Sequence, residues 1–212
     1  MSMQEIEAKF YVWDFEKIES RIRKLGALLI QPRVLETNIR FDLPDRGLSS
    51  SGRVLRLRQD TEARLTYKDS GRNVQGVISR TEIEFTVDDF DKAKLFLEAL
   101  GYEKLLVYEK YRTTYELHQT SEILRNLEGL VHVMLDKMPY GNFVEIEGEN
   151  AESIHAIASQ LNLDINASIP ASYSALFERV RNALKLPFTD LTFANFEGIQ
   201  VSVEHLQVQP AD

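Results

Sequence analysis

Charged side chains return at every second position in stretch after stretch of this chain. Glu5, Glu7 and Lys9 alternate with Ile6, Ala8 and Phe10. Arg56 and Arg58 alternate with Leu55 and Leu57; Arg80, Glu82 and Glu84 flank Ile83 and Phe85. Lys110 and Arg112 repeat the spacing, as do Glu145 and Glu147 opposite Val144 and Ile146. Successive side chains of a β-strand point to opposite faces, so each set shares one face of a strand. Lys68 and Asp136 lie in neighbouring stretches of the same kind.

One such face is ordinarily the wet side of an antiparallel sheet. The whole set is unusual, because a wet face mixes Thr, Ser, Gln and Lys, whereas these hold almost only Glu, Arg and Lys. Amphipathic helices alternate with the strands and need apolar strand faces to cover. Phe15, Ile18, Ile22 and Leu25 recur at helical spacing between an Asp14 cap and Gly26. Similar helices are expected at about 89–100, 150–161 and 172–184. If those helices take the apolar faces and the sheet closes, the charged faces point at one another. Strands are expected at 4–12, 33–43, 53–59, 63–69, 76–87, 105–117, 130–138 and 142–148, mostly adjacent in sequence. The fold class is therefore α+β: a closed eight-stranded antiparallel barrel with flanking helices. The barrel domain is expected to span residues 1–184. Residues 185–212 read as a C-terminal extension with a small hairpin around Glu197-Gly198.

Composition narrows the function. A net charge of −8 opposes broad nucleic-acid binding, which needs a basic surface. The chain has no cysteine, which removes disulfides and thiolate metal sites. His118, His132, His155 and His205 are scattered, so a histidine metal site is not expected. No apolar stretch resembles a signal peptide or a membrane span, and a cytoplasmic setting without membrane partners is the expectation. Asn166-Ala-Ser168 fits a glycosylation sequon by chance. Gly71-Arg-Asn-Val-Gln-Gly76 continues into Val77-Ile78, so it is not a Walker A loop. Serine-hydrolase signatures are absent as well. Any chemistry must come from carboxylates and bases.

A closed barrel would gather seven bases (Lys9, Arg56, Arg58, Lys68, Arg80, Lys110, Arg112) and seven acids (Glu5, Glu7, Glu82, Glu84, Asp136, Glu145, Glu147) in one interior. Desolvating them is costly, so the arrangement makes sense for a ligand rather than for a core. Converging Arg and Lys suit a polyanion, because guanidinium forks match phosphate oxygens. Surplus carboxylates suit hard cations such as Mg²⁺ or Mn²⁺. Phosphate and carboxylate-bound metal together point to phosphoryl or nucleotidyl chemistry.

Glu5-Ile-Glu7-Ala-Lys9 resembles the E-x-E-x-K amino-terminal signature of the CYTH, or triphosphate tunnel metalloenzyme, superfamily. The other charged stretches follow in that family's order: Leu55-Arg56-Leu57-Arg58, Leu65-Thr66-Tyr67-Lys68, Arg80-Thr-Glu82-Ile-Glu84, Lys110-Tyr-Arg112, Asp136 and Gly141-Asn-Phe-Val-Glu145-Ile-Glu147. Ser172-Tyr173 through Leu176 resembles its late helix. The resemblance covers about 3–183. It implies an eight-stranded tunnel in which Lys9, Arg56, Arg58, Lys68, Arg80, Lys110 and Arg112 hold a small-molecule triphosphate. It further implies that Glu5, Glu7, Glu145 and Glu147, with help from Asp136, bind the divalent metal. Lys9, Glu82, Glu84 and Asp136 are the catalytic candidates. The implied activity is metal-dependent hydrolysis of tripolyphosphate, thiamine triphosphate or a nucleoside triphosphate. Class IV adenylyl cyclisation of ATP and a non-catalytic polyphosphate or nucleotide binder are the alternatives. The oligomeric state is left open, a homodimer included.

Class IV cyclases tend to show a Q-x-D-x-Y-F-like second strand, and this chain departs from it with Glu36-Thr-Asn38-Ile-Arg40-Phe41. Glu36, Asn38, Arg40 and Asp42 share a face that fits either the tunnel or a water-exposed edge. Tyr173 reads as a helix packing residue, and Trp13 as part of a helix staple.

Overall fold

The computed structural model describes residues 4–118 and 129–212; the terminal Met-Ser-Met lies outside them. Nine strands are present: β1 (Gln4–Val12), β2 (Leu28–Asp42), β3 (Val54–Gln59), β4 (Ala63–Lys68), β5 (Arg72–Val74), β6 (Val77–Val87), β7 (Glu103–Leu117), β8 (Val131–Met138) and β9 (Gly141–Glu147). Their order in the sheet is β1-β9-β8-β7-β2-β3-β4-β6-β5, and β1 also pairs with β6. That last pairing closes an eight-stranded antiparallel barrel, the expected fold class. The seam is short, running from Gln4↔Thr81 to Glu7↔Ile78.

Strand β5 is the addition to the expected eight. It folds back on β6 through Gln75 and Gly76, whose φ values of 53° and 83° suit a two-residue hairpin turn. β2 begins five residues earlier than period two suggests. Its first part is irregular, with register shifts against β7 at Leu29/Gln31 and Gln31/Val34. Leu28, Leu29 and Ile30 are all exposed there, so no alternation could announce the strand.

Helices α1 (Phe15–Lys24), α2 (Phe90–Ala99), α3 (Ala151–Gln160) and α4 (Tyr173–Leu184) fall where their periodicity places them. Each starts at a side-chain cap, from Asp14, Asp89, Asn150 and Ser172 respectively. They cover most of the outer, apolar strand faces, although Ile83 and Phe85 of β6 remain 44% and 54% exposed. Ile18 and Ile22 of α1 and Ile154 and Ile157 of α3 join Phe10, Val133 and Val144 in one core. Leu97 of α2 joins Ile39, Leu55 and Leu57 in another. With most of their apolar faces covered, the strands turn their charged faces inward.

No hairpin forms around Glu197-Gly198. Residues 193–198 make turns, and a short helix α5 (Val203–Leu206) follows. Leu191, Phe196 and Leu206 are buried against Leu176, Phe177 and Val180 of α4. The segment bonds to strands that already have sheet partners, through single parallel bridges Tyr108↔Leu191 and Tyr11↔Pro210. Its apolar residues thus gain more from packing on α4 than from pairing with each other. The terminal Asp212 carboxylate accepts the Trp13 and Asp14 backbone N–H groups at 2.9 and 3.1 Å. Trp13 remains 58% exposed and meets Tyr11 edge-on.

Candidate active site in the barrel interior

The interior of the barrel is a cavity of about 550 Å³. Strand register decides what lines it. Arg40 of β2 lies opposite Arg56 of β3, which lies opposite Thr66 of β4, which lies opposite Glu84 of β6. Lys68 faces Glu82, and Arg80 faces Glu5 across the closing seam. Glu7 then faces Glu147, and Lys9 faces Glu145, between β1 and β9. Lys110 of β7 faces Glu36 of β2. Of the fourteen candidate residues, thirteen line the cavity, and Asp136 does not.

Asp136 is fully buried behind the wall. Its carboxylate accepts Lys110 Nζ at 2.9 Å, Arg112 Nε at 2.7 Å, Arg112 Nη2 at 2.5 Å and the Tyr173 hydroxyl at 2.8 Å. Four donors leave it little capacity for anything else, and its evident effect is to hold two bases in place. Tyr173 packs edge-on against Phe143, as its helical position suggests. It also reaches the site, since Lys9 Nζ stands 4.3 Å from the centre of its ring.

The acids fall into two groups. Glu145 meets Lys9 Nζ at 3.2 Å and Arg112, and although burial opposes ionisation, these bases hold it well below the usual carboxylate range. Burial also opposes ionisation of Glu5, but Lys68 at 2.5 Å and Arg80 at 2.7 Å bring it down to about 2. Glu36 behaves alike, at about 2, beside Lys110, Arg112 and Arg58 at 3.4–3.9 Å. Glu84 is lowered despite burial by Arg58 and Arg56, at 3.2 and 3.4 Å.

Glu147, Glu7 and Glu82 form the second group. Burial first, and then the charges of Glu5 and Glu7, push Glu147 up to about 7. Among the described residues no base pairs with it. Glu7 is raised by burial and by Glu5 and Glu145, even with Arg80 at 3.1 Å. Glu82 is raised chiefly by burial, with Lys68 at 3.2 Å working against it. Like charges directly across an antiparallel pair destabilise it, which is the situation of Glu7 and Glu147. Three raised acids thus sit around the β1–β6 seam.

Polar atoms without partners concentrate on the opposite wall. The Nε atoms of Arg40 and Arg56 and both side-chain polar atoms of Asn38 are buried with no hydrogen-bond partner among the described residues, while Arg58 Nε and Glu36 Oε2 have only ion-pair contacts, to Asp60 at 3.5 Å and to Lys110 at 3.4 Å. Native interiors rarely leave such groups unpaired, so their concentration marks a place built for a ligand. Glu36, Asn38 and Arg40, whose face the sequence leaves open, therefore belong to the interior, Asn38 within its wall. Their period-two spacing was the available signal. Asp42 differs: it is fully buried and accepts the Leu48 and Ser49 backbone N–H groups at 2.9 and 3.0 Å. It ties down the loop before β3.

Among the described residues no three Asp, Glu or His groups are already gathered around a cation position. Mg²⁺ seldom needs such a cage, because it takes one or two carboxylates and completes its shell with water and phosphate oxygens. The unpaired hard oxygens of Glu147, beside Glu5 and Glu7, suit a cation of that kind.

Comparison with known proteins settles the family. The sequence model of the CYTH domain matches residues 3–168. The chain belongs to the CYTH family. The match runs from β1 through α3 and ends before α4. A relative from Methanocaldococcus jannaschii, named "Putative adenylate cyclase MJ0240", is 28% identical over 147 residues, 68% of this chain and 77% of its own length. The PH1012 protein of Pyrococcus horikoshii has the same fold, with a TM-score of 0.62 and 25% identity over 80% of this chain and 96% of its own. A Hippeastrum structure, described as an adenylyl cyclase candidate that reveals a dominant triphosphatase activity, aligns with a TM-score of 0.58 and 18% identity, covering 82% of this chain and 95% of its own. Among the described residues no helix of this CYTH protein is long and apolar enough to cross a membrane.

Proposed function

We propose that this CYTH protein hydrolyses the terminal phosphoanhydride of a small-molecule triphosphate with a divalent metal, Mg²⁺ or Mn²⁺. One observation carries the reading: the cavity of a closed barrel joins converging guanidinium groups, with the Nε atoms of Arg40 and Arg56 unpartnered, on one wall to raised carboxylates, with Glu147 unpaired among the described residues, on the other. A polyanion satisfies the first wall and a cation the second. Either alone leaves one sign of charge uncompensated.

Arg56, Arg58, Lys68, Lys110 and Arg112 bind and orient the phosphates, with charge-assisted forks where the geometry allows. Arg80 spans the seam and screens Glu5 from Glu7. Glu36 and Glu84 keep the arginines aligned, and Asp136 positions Lys110 and Arg112. Lys9 neutralises Glu145 and donates to the Ala171 carbonyl at 3.4 Å, tying β1 to the approach to α4. Glu5, Glu7 and Glu147 would hold the metal, which would supply charge neutralisation of the phosphate oxygens. Glu82 lines the same cavity outside that set and accepts the proton of the attacking water. The water oxygen bonds to the terminal phosphorus, the bridging P–O bond breaks with its electron pair passing to the diphosphate leaving group, and the attacked phosphoryl group is released as orthophosphate.

Cyclisation of ATP is the second reading, supported by the naming of the M. jannaschii relative. It uses the same cradle, with a ribose hydroxyl as nucleophile. Against it stands the departure of β2, where Glu36, Asn38 and Arg40 face the interior. Product analysis with tripolyphosphate, thiamine triphosphate and ATP, each with Mg²⁺ or Mn²⁺, separates the readings. Orthophosphate from tripolyphosphate is expected, since no ribose is needed. Cyclic AMP and pyrophosphate from ATP alone would establish the cyclase, and tight binding without turnover the non-catalytic binder.

A further inference from the structure

A second cavity, of about 850 Å³, adjoins the tunnel at one end. The two share Arg40, Val54, Arg80, Ser172 and Ser174 in their walls. Its charged side chains are Arg40, Arg46, Arg53, Arg80 and Arg181 against one acid, Glu178. Arg80 is engaged by Glu5 and Glu7, and Arg181 by Glu178 at 2.9 Å. The other three have no carboxylate within ion-pair distance among the described residues. Arg40 donates to the Ser174 hydroxyl at 2.6 Å, and its buried Nε has no hydrogen-bond partner among the described residues. Arg53 braces its own loop, donating to Ser51 Oγ at 2.7 Å and to the Gly47 carbonyl at 3.2 Å.

The loop that carries Arg46 and Arg53 is prebuilt. Asp42 clamps its Leu43, Leu48 and Ser49 N–H groups. Arg46 itself adopts a left-handed φ of 60°, which residues other than glycine rarely take, and it is exposed, its side chain without a hydrogen-bond or ion-pair partner among the described residues. Strain of that sort is retained where a side chain must be presented in one direction. Among the described residues no aromatic side chain lines this cavity to stack on a base or a thiazolium ring.

We propose that Arg40, Arg46 and Arg53 form an anion subsite at the tunnel mouth that grips phosphate beyond the third, so that the preferred ligand is a linear polyphosphate longer than tripolyphosphate. The inference rests on the triphosphate reading of the tunnel and extends it. An anionic chain is the ligand that satisfies a row of guanidinium groups running from the interior outward, because each further phosphate meets a further fork. An organic group would leave the three guanidinium charges without an anionic partner, buried Arg40 Nε included.

Isothermal titration with Mg²⁺ present tests it, using tripolyphosphate, tetrapolyphosphate, a longer linear polyphosphate and ATP as probes. Wild type should bind the two longer chains roughly tenfold more tightly than tripolyphosphate, the value of one added charge-assisted contact. Arg46→Ala, exposed and partnerless, should fold normally, keep the tripolyphosphate affinity and lose most of that margin. Arg40→Gln should weaken all the phosphate chains, because Arg40 borders both cavities. If tripolyphosphate binds but longer chains bind no better, the subsite is refuted and the tunnel reading stands. If ATP gains the margin that Arg46→Ala removes, the mouth takes an organic group and the proposal is likewise overturned. If no phosphate chain binds, the tunnel reading falls, and the subsite with it.

Discussion

Replacing Glu147 with Gln tests the site through stability rather than activity. In the unfolded chain this carboxyl releases its proton near 4.5, whereas in the fold it does so only at about 7, because it is buried beside Glu5 and Glu7. A folded-state value above the unfolded one means that the fold binds the proton more tightly. The associated stability is fully present below about 4.5 and is lost as the pH rises through about 7. The gap corresponds to about 3 kcal/mol at most, and partial access of water reduces it to about 1–2 kcal/mol. Gln keeps the shape without the charge. In metal-free buffer at about pH 8, Glu147→Gln should therefore melt roughly 2–8 °C above wild type for a chain of this size, and at about pH 5 the difference should nearly vanish. Thermal unfolding followed by circular dichroism in EDTA, at both pH values, measures it. A variant less stable than wild type at about pH 8, or a difference independent of pH, would show that Glu147 is not under repulsion and would remove the strained acidic seam from the argument.

Mg²⁺ together with tripolyphosphate should raise the melting temperature of wild type more than either does singly, by roughly 5–10 °C when ligand stands near a hundred times Kd; equal shifts with one component alone would contradict the two-wall reading. Arg56→Ala should raise KM and lower kcat in steady-state assays, because a charged cradle acts in the ground state as well as in the transition state. An unchanged KM would place Arg56 outside the binding wall. Tyr173→Phe removes one of the four donors to buried Asp136 and should cost about 1–3 kcal/mol in denaturant unfolding while Mg²⁺-dependent binding survives. Loss of binding with full stability would instead make Tyr173 a ligand contact.

The barrel was legible because two periodicities agreed. Period two put Glu5, Glu7 and Lys9 on one face, and period 3.6 supplied helices such as α1 and α3 to cover the other. Interiors built this way leave few choices for the charged sides. What escaped were features decided by partners distant in sequence. The first part of β2 shows Leu28, Leu29 and Ile30 without alternation, and only pairing with β7 makes it a strand. The tail offers Ile199 to Val203 as strand-like residues, yet packing on α4 and single bridges to Tyr11 and Tyr108 decide its path. Glu36 and Arg40 fitted either the tunnel or a wet edge until closure of the sheet enclosed them. Asp136 shares its polar character with the cavity acids, and the four donors that bind it from behind the wall could not be read from spacing.

The placement of charge also explains how a barrel tolerates so many buried ions. Six acids and bases neutralise each other in short cross-strand contacts: Lys68 with Glu5, Lys9 with Glu145, and Lys110 with Asp136. Those pairs stabilise little on balance, since desolvation offsets most of their attraction. Their effect is directional. They fix the cavity-facing side chains in one arrangement and consume the charge that would otherwise collapse the two walls together. The remainder is unbalanced, with unpartnered guanidinium nitrogen at Arg40 and Arg56 and unpaired carboxylate at Glu147 among the described residues. A cavity whose residual charges are separated in this way cannot satisfy itself by a small side-chain rearrangement, because Arg80 already occupies the gap between Glu5 and Glu7 at the seam. Relief must come from outside, as an anion on one wall and a cation on the other, and the energy of that relief is what the protein has available for binding and for catalysis.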